Sequence, residues 1–348
     1  MLIMFEKLSK FDINGNIVVL PDFFLDRIIK INSKDELFRT ITDKTTIGGG
    51  SIRGVNTLDV KGGNAVNVAY CLATMGLSVT LFTVADNIGA SILRTIFSKF
   101  GEKVNLQIEN GRQGSTTSFE FHENEGTNAN VMVSDVGDNQ NFGPEMISAQ
   151  SDLEIINSAK GIVLTNWASN FRGTDLANYL FTNSPNAFHF LDPADIETRK
   201  EEFRDTLKNL NNTLDVLSIN ENECTSLIKA CNLDSKLSLD FEDIGNVKQA
   251  AKILSFEFGL EIDLHTRIGG AWSDGKDIQF VKSFDVVPKK LTGSGDCWDA
   301  ADILGHLSHL DANERLMFSN AYASLYVSRS DFEPPTIDDA VDFAQKSI

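Results

Sequence analysis

The segment LTGSGDCWDAADIL, residues 291–304, carries the clearest structural signal in the chain. Gly293 and Gly295 surround Ser294, and an apolar helical pattern starts after the next residue. Glycines before a helix let backbone N–H groups converge on one spot, and the helix dipole adds to the attraction for an anion. The segment therefore predicts an anion-binding loop at the start of a helix, with a strand expected upstream at residues 283–287.

Two interpretations of Asp296 remain open from this segment alone. An aspartate at the start of a helix can be a simple N-cap, which needs no function. Beside an anion-binding loop, the same carboxylate can take a proton from an attacking hydroxyl while the loop neutralises a phosphoryl group in transfer. Because two glycines and a serine precede the aspartate, the pattern favours phosphate chemistry.

Upstream of this segment, strand and helix patterns alternate along the chain. The expected strands are residues 17–20, 79–83, 161–165, 189–191 and 216–219, and the expected helices are residues 64–75, 88–100, 174–180, 201–209 and 247–257. Such alternation predicts a Rossmann-like α/β fold, in which a mostly parallel sheet is flanked by helices. Binding sites in such sheets lie at the carboxyl ends of the strands.

Two segments interrupt this alternation, at residues 27–61 and 112–135. The second reads as two strands around a polar loop at residues 124–128. We expect both segments to pair into a small separate sheet, which would form a lid over the open end of the core. The remaining residues, 1–26, 62–111 and 136–348, would form the core that binds nucleotide and substrate.

The composition excludes several classes of protein. The chain has 348 residues, 42% of them hydrophobic, and its 31 basic against 49 acidic residues give a net charge of −18. This charge argues against nucleic acids and membrane surfaces as partners. No apolar run approaches the roughly 20 residues of a membrane span, and the start shows no signal-peptide pattern. The four cysteines form no C-x-x-C pair, so we expect reduced, mostly buried thiols in a cytoplasmic protein.

A second informative segment, residues 61–67, places two glycines ahead of Asn64 and Asn67. The two asparagines are three residues apart, so they share one face of the predicted helix. Amide side chains both donate to and accept from hydroxyl groups, which suits a polyol ligand. A tight turn followed by an asparagine cap explains the same residues without a ligand.

A third segment follows the strand expected at residues 216–219 and contains Asn220 and Glu223. A carboxylate at the end of a strand can organise Mg²⁺, usually through water. The alternative is an acidic first turn of a helix, which the helix dipole stabilises without any ligand. The segment by itself leaves both interpretations open.

Other patterns are weaker. Residues 270–277 nearly fit the P-loop pattern, but they fail its last position and precede a strand at residues 278–281, so we expect a hairpin turn at residues 273–276. His306 and His309 could ligate a metal, but ordinary surface or core histidines are favoured. No G-x-G-x-x-G pattern follows the first strand, which disfavours a dehydrogenase.

Taken together, these segments resemble the ribokinase-like family, the pfkB carbohydrate kinases. The matching motifs, in the family's order, are GGNAVNVA at residues 62–69, DP at 192–193, SINENE at 218–223, TGSGD at 292–296 and NAYAS at 320–324. They cover nearly the whole chain. The resemblance implies ATP-dependent, Mg²⁺-assisted phosphorylation of a hydroxyl group on a sugar or sugar-like small molecule.

The resemblance also implies roles for individual residues. Asp296 would be the catalytic base, with the backbone of Gly293, Ser294 and Gly295 as the anion hole. The substrate-binding residues would be Asp22, Asp26, Gly63, Asn64 and Asn67. The nucleotide-binding residues would be Asn220, Glu223, Thr292, Gly270 and Asn320, with Glu223 also at the metal. Lid strands of this family often pair between subunits, so a homodimer through the lid is expected.

The chain departs from the family at three positions. Lys290 replaces an aspartate that often helps a monovalent-cation site, which leaves K⁺ activation open. Arg267 stands where a glycine is usual, and an arginine there could touch a phosphate. Arg53, in a loop at residues 48–54 that has no family counterpart, could reach an anionic substrate, but a solvated loop arginine is favoured.

Two alternative functions follow from the same residues. One is a nucleoside kinase of this family, whose base would need an apolar slot such as Phe119 and Phe121 could supply on a lid strand. The other is a non-catalytic sensor of a nucleotide or sugar, which Lys290 favours and Asp296 disfavours. Neither the acceptor nor the phosphoryl donor is identified by the sequence.

Overall fold

The computed structural model describes residues 7–8, 15–122, 128–235, 237–290 and 292–347. The polar loop expected at residues 124–128 lies almost wholly outside them. The described strands are β1 (Asn16–Leu20), β2 (Phe24–Ile31), β3 (Asn56–Gly62), β4 (Ser78–Ala85), β5 (Val104–Asn110), β6 (Gly114–His122), β7 (Asn128–Asp135), β8 (Gly161–Thr165), β9 (Phe188–Asp192), β10 (Val216–Asn220), β11 (Glu261–Thr266), β12 (Gly269–Ser273) and β13 (Ile278–Lys282).

The described α-helices are α1 (Lys34–Thr46), α2 (Asn64–Thr74), α3 (Asn87–Phe97), α4 (Gln150–Ser158), α5 (Gly173–Asn183), α6 (Lys200–Leu210), α7 (Glu221–Ala230), α8 (Ile244–Phe258), α9 (Ser294–Leu307), α10 (Ala312–Ser328) and α11 (Ile337–Ser347). Within this part of the chain, none of the helices has the length and apolar character needed to cross a bilayer.

A nine-stranded sheet forms the centre of the molecule, in the order β13-β12-β11-β10-β9-β8-β1-β4-β5. The strands from β11 to β5 pair in parallel, and β12 and β13 extend the sheet as an antiparallel hairpin. Helices cover both faces, since Val18 and Leu20 of β1 join one hydrophobic cluster while Ile17 and Val19 join the other. The expected α/β sheet is confirmed.

A second sheet of four strands, in the order β3-β2-β6-β7, stands apart from the large one. We call it the small sheet. Its strands β2 and β6 pair in parallel, and the other two pairings are antiparallel. The expected small separate sheet is therefore confirmed, while its role as a lid and the exact domain limits stay predictions.

Helix α1 was not expected in the segment at residues 27–61. Ser33 caps it, since its hydroxyl accepts a hydrogen bond from the backbone N–H of Glu36. None of its side chains is fully buried, so Leu37 and Ile41, four residues apart, do not form the core-facing stripe by which helices are usually recognised. The serine and the glutamate three residues later were the available signal.

The strand expected at residues 283–287 is wrong. Strand β13 ends at Lys282 on the edge of the large sheet, and one further backbone hydrogen bond, from the N–H of Ser283 to the carbonyl of Ile268 at 2.9 Å, follows it before the chain leaves the described sheet. It turns instead towards α10, where the N–H of Lys289 donates to the carbonyl of Val327 at 2.8 Å. The hairpin expected at residues 273–276 does join β12 to β13, with Gly275 at φ +84°.

Candidate active site

The glycine-rich loop ends at the N-terminus of α9, as the sequence predicts. Gly293 is the N-cap residue, with φ +81° in the left-handed region, and no side chain caps the helix. Asp296 therefore lies inside the first turn and is not the N-cap, which removes one of its two interpretations. The first N–H groups of a helix lack partners within it, so this uncapped start can receive an anion.

Asp296 is buried, with 7% of its surface exposed, and its Oδ2 accepts a hydrogen bond from Nδ2 of Asn67 at 2.8 Å. Burial raises the pKa of this carboxyl to about 8. The nearby carboxylate of Asp192 raises the pKa further, while the Asn67 amide and the more distant Lys61 ammonium lower it. A carboxyl with this pKa is mostly protonated at pH 7, and its ionised fraction, which grows towards pH 8, is a stronger proton acceptor than an ordinary aspartate.

Helix α2 presents both of its asparagines to the site, as the three-residue spacing predicts. Asn67 bridges Lys61, whose Nζ donates to its Oδ1 at 2.8 Å, and Asp296. Asn64 donates from Nδ2 to Oδ2 of Asp192 at 3.2 Å. Gly63 precedes them with φ +92°, and a Cβ there would lie 2.6 Å from the carbonyl oxygen of Asp22, so only glycine fits.

Asp22 and Asp26, near β1 and β2, differ in whether their carboxylate oxygens all have hydrogen-bond partners. Asp22 accepts four hydrogen bonds, from the backbone N–H groups of Asn64 and Ala65 and from the side chains of Thr165 and Asn166, at 2.8–3.1 Å. Both of its oxygens are therefore occupied in joining the start of α2 to the end of β8. A direct contact of Asp22 with a substrate hydroxyl would have to displace one of these donors.

Asp26, by contrast, keeps a buried Oδ1 without a hydrogen-bond partner among the described residues. Burial raises its pKa to about 6, which a hydrogen bond from Thr116 opposes. A Cβ at Gly62 would lie 2.1 Å from Oδ2 of Asp26, so the glycine makes room for this carboxyl. Asp26 also lines a cavity of about 500 Å³ together with Lys61 and Thr116.

Asn220 and Glu223 form a reciprocal cap at the start of α7. Oδ1 of Asn220 accepts from the N–H of Glu223 at 3.1 Å, and Oε2 of Glu223 accepts from the N–H of Asn220 at 2.8 Å. The alternative of an acidic first helical turn is thus present, while the nucleotide and metal roles of Asn220 and Glu223 stay predictions. The Glu223 side chain is 5% exposed, and burial together with the Asp192 carboxylate raises its pKa to about 8.

Three other predicted nucleotide residues lie around the loop and β12. Asn320 has both ends of its amide engaged, because Oδ1 accepts from Trp298 at 2.9 Å and Nδ2 donates to the carbonyl of Val281 at 2.8 Å. A Cβ at Gly270 would lie 3.1 Å from the same Asn320 oxygen. The carbonyl of Thr292 accepts from the Tyr326 hydroxyl at 3.3 Å. Asn320 thus fastens α10 to β13.

Sequence reasoning missed His265, at the carboxyl end of β11. It lies in register with Asn220, and its ring centroid is 5.2 Å from that of Trp298. A Cβ at Gly295 would lie 3.4 Å from the His265 ring, so the imidazole borders the anion-binding loop. Burial lowers its pKa to about 4, which keeps the ring neutral at pH 7. Its position at a strand end was the available signal.

Two buried carboxyls were also not assigned to the site. Asp192 ends β9, within the DP motif, and Asp299 lies one helical turn beyond Asp296. Burial raises the pKa of both carboxyls. A neighbouring aspartate raises each pKa further, Asp22 that of Asp192 and Asp192 that of Asp299. Ser218 donates to Oδ1 of Asp299 at 2.5 Å. The three-residue spacing of the aspartates in α9 was the signal for this shared face.

One cluster of possible metal ligands lies at the far end of α9, formed by Asp263, Asp302 and His306. A guanidinium already occupies it, since Nη1 of Arg315 donates to Oδ2 of Asp263 at 2.7 Å and also to Asp302. The cluster is therefore a buried ion-pair network. His306 belongs to it, whereas His309 lies in the turn after α9 with φ +54°.

Comparison with known proteins agrees with this architecture. No curated protein matches the sequence. Among solved structures, the chain superposes on ribokinase from Arabidopsis thaliana, complexed with ribose and ATP, with a TM-score of 0.70 at 18% identity, covering 95% of this chain and 99% of that one. An E. coli protein described as ribokinase II, in complex with ATP and Mg²⁺, gives 0.68 at 15% identity, covering 95% and 98%.

Adenosine kinase from Sinorhizobium meliloti superposes equally well, with a TM-score of 0.70 at 15% identity over 96% of this chain and 99% of that one. At these identities the likeness establishes the ribokinase-like fold and no more. The sequence model of the pfkB family carbohydrate kinases matches residues 35–338, which is most of the chain. The chain therefore belongs to the pfkB family of carbohydrate kinases.

Proposed function

We propose that this protein transfers the γ-phosphoryl group of ATP, with Mg²⁺, to a hydroxyl group of a sugar or sugar-like small molecule. The observation that carries the proposal is the placement of Asp296. Its buried carboxyl is held by Asn67 in the first turn of α9, beside an uncapped helix start preceded by two glycines. A proton acceptor and an anion-binding loop are thus adjacent, as in-line phosphoryl transfer requires.

Each side of the reaction has its own residues. Asp296 would accept the proton of the attacking hydroxyl, and the N–H groups at the start of α9 would neutralise the phosphoryl group. The free oxygen of Asp26 and the amides of Asn64 and Asn67 would orient the hydroxyls of the acceptor. Asp22 would act through its four hydrogen bonds, by fixing the start of α2.

The carboxyls of Asp192 and Glu223 suit a divalent cation. Both are buried, Asp192 raises the pKa of Glu223, and Glu223 has no cationic partner among the described residues, although its two oxygens accept hydrogen bonds from Asn220. Hard oxygen ligands of this kind are what Mg²⁺ prefers, directly or through water. When bound, Mg²⁺ would neutralise charge on the phosphates, which a chain of net charge −18 makes more necessary.

The acceptor can be found by a binding screen followed by a turnover assay. Sugars, polyols and nucleosides would be tested by thermal shift with Mg²⁺ and a non-hydrolysable ATP analogue, since a ligand at about a hundred times its Kd adds roughly 2.7 kcal/mol of stability. We expect a sugar or polyol to shift the melting temperature and then to be phosphorylated. A nucleoside as the only substrate would favour the alternative that the adenosine kinase likeness supports. Binding without turnover would favour a sensor.

The small sheet supports a homodimer. Its edge strand β7 exposes Val131, Met132 and Val133, each at more than half of its surface. Exposed edges with apolar side chains invite pairing with a second strand. We propose that the edges pair between two copies, which light scattering on the purified protein would test. A monomer at all accessible concentrations would contradict this.

A further inference from the structure

The segment between β13 and α9 holds an ammonium group in an unusual place. Lys290 lies two residues before Thr292, and the N–H of its neighbour Lys289 is tied to the carbonyl of Val327 at the end of α10. The Nζ atom of Lys290 is buried and has no hydrogen-bond partner among the residues that the structure describes. A buried ammonium without hydrogen bonds is costly, so its position calls for a physical reason.

Two aromatic rings hold this ammonium. Nζ of Lys290 lies 3.8 Å from the ring centroid of Tyr326 and 5.1 Å from that of Phe332. The negative faces of aromatic rings attract a cation within about 6 Å. Burial lowers the pKa of Lys290, the Asp331 carboxylate opposes that shift, and the Arg329 and Lys61 cations add smaller lowering effects. The rings and the acidic neighbour therefore keep a positive charge fixed at this point.

The same tyrosine supports the anion-binding loop. The hydroxyl of Tyr326 donates to the carbonyl of Thr292, and it would lie 3.1 Å from a Cβ on Gly293. The face of the ring thus carries the Lys290 ammonium while its edge contacts the loop. A positive charge separated from the loop by one tyrosine ring favours negative charge at the loop.

A monovalent cation does not fit this place. Such an ion is held by oxygen ligands, and the position at which the family usually has an aspartate here carries an ammonium instead. The two rings on Nζ take up the space around it, and a second positive charge beside the first would be repelled. The residues present therefore replace the ion rather than bind it.

We propose that Lys290 is a tethered cation, which supplies behind the anion-binding loop the fixed charge that a bound monovalent ion would otherwise supply. The protein then works without potassium. Lys290 is a positioning residue in this scheme, since it acts through Tyr326 and the loop. The inference rests on the proposed kinase activity, but part of its test does not.

The kinetic test compares the wild type with Lys290→Ala and with the matched control Lys289→Ala, an exposed lysine next in the chain. Activity is measured in tetramethylammonium buffer, with and without about 0.1 M potassium or ammonium chloride. We expect the wild type and Lys289→Ala to change by less than about twofold on adding either salt. Lys290→Ala should lose about tenfold or more in tetramethylammonium and recover with potassium or ammonium, because the shortened side chain leaves space for a free cation on the face of Tyr326.

Three kinetic results would overturn the proposal. The first is strong stimulation of the wild type by potassium, and the second is full activity of Lys290→Ala without added ions. The third is a loss in Lys290→Ala that neither ion restores, because that would mean the side chain only fills space.

A melting experiment needs no substrate and separates this inference from the kinase assignment. Lys290→Asp and Lys290→Ala are melted in potassium and in tetramethylammonium chloride of equal ionic strength, beside the wild type. We expect potassium to raise the melting temperature of at least one variant by about 2 °C or more, and to leave the wild type unchanged. A potassium-specific shift in the wild type, or none in either variant, would contradict the tethered cation even if the protein proved to have another activity.

Discussion

The two ends of α9 carry buried carboxyls in opposite electrostatic settings. At the N-terminal end, Asp296 and Asp299 face Asp192 and receive neutral donors, from Asn67 and Ser218. At the C-terminal end, Arg315 donates to two aspartates of the far cluster, and His306 packs against them. One helix thus joins an uncompensated group of acids to a compensated one.

The pKa values record this difference. Burial by itself raises the pKa of Asp263 at the far end, but the Arg315 guanidinium and the His306 hydrogen bond together outweigh it and hold the pKa at about 2, while burial keeps the pKa of Asp302 in the same cluster well above its usual range. At the near end burial and Asp192 outweigh the more distant Lys61, and the pKa of Asp296 is about 8. Buried acids with a cation maintain the fold, whereas buried acids that lack one are available to a substrate or metal.

The largest effect is expected from Asp296→Asn. The amide can still accept the hydrogen bond from Asn67, so the variant should fold, but it cannot take a proton, and turnover should fall by about 10³-fold. The measurement is kcat on the acceptor found by the screen, with melting curves as the check of folding. Asp285→Asn, at an exposed position, is the control and should keep its activity. Near-native turnover in Asp296→Asn would show that Asp296 is not the catalytic base.

Arg315→Met tests the far end. Removing the guanidinium leaves two buried carboxylates without their cation, and the free energy of unfolding should fall by about 3–5 kcal/mol, measured by urea titration. Arg329→Met, which breaks the more exposed ion pair with Asp339 at the end of the same helix, should cost about 1 kcal/mol or less. Equal losses in the two variants would mean that the far cluster is not a compensated network.

The pH dependence of stability should have one sign for Asp296 and Glu223 and the opposite sign for Asp263. Asp296 and Glu223 ionise near pH 4 when unfolded and near pH 8 when folded, so the folded form carries extra protons between these values. Stability should therefore fall as pH rises from about 5 to 8, by up to about 1.4 kcal/mol per unit for each group. Asp263 has a depressed pKa, so its contribution should be lost as pH falls from about 4 to 2.

Urea titrations without added metal, repeated from pH 3 to 8 in steps of about one pH unit, check these signs. Asp296→Asn should flatten the neutral limb and leave the acid limb in place. A neutral limb that Asp296→Asn does not alter would show that this carboxyl is already ionised in the folded protein.

The smallest effect is expected from His306→Phe. Burial lowers the pKa of His306 to about 4, so at pH 7 it offers the far cluster a hydrogen bond but no charge. Phenylalanine can keep the stacking on Phe188, whose ring centroid is 4.9 Å away. The free energy of unfolding should fall by about 1 kcal/mol in urea titration. A loss as large as that of Arg315→Met would mean that the imidazole is charged.

The near end of α9 could be predicted from sequence because its signals are local. Gly293 and Asp296 stand three residues apart, and the asparagines of α2 share one helical face, so spacing alone placed them. The far cluster joins Asp263, Asp302 and Arg315 from one strand and two helices. Contacts over 52 and 13 residues of sequence leave no pattern in the chain, because they exist only once the elements have packed.

Helix α1 was not predicted from the sequence, for a different reason. Packing against a core is what produces apolar periodicity, and α1 packs against none. At residues 283–287 the error was the opposite one, because a strand was predicted where none forms. A β-like composition does not produce a strand where no partner strand is within reach. Both errors arise where tertiary contact, or its lack, overrides local preference.

The position of α1 also makes the small sheet open to engineering. Lys30 and Asn56 are register partners on neighbouring strands, so the chain leaves and re-enters the sheet side by side. The helix and glycine-rich loop between them form an exchangeable cassette, because no side chain of α1 is buried. A circularly permuted fluorescent protein spliced between these two residues would convert a movement of the small sheet into an optical signal.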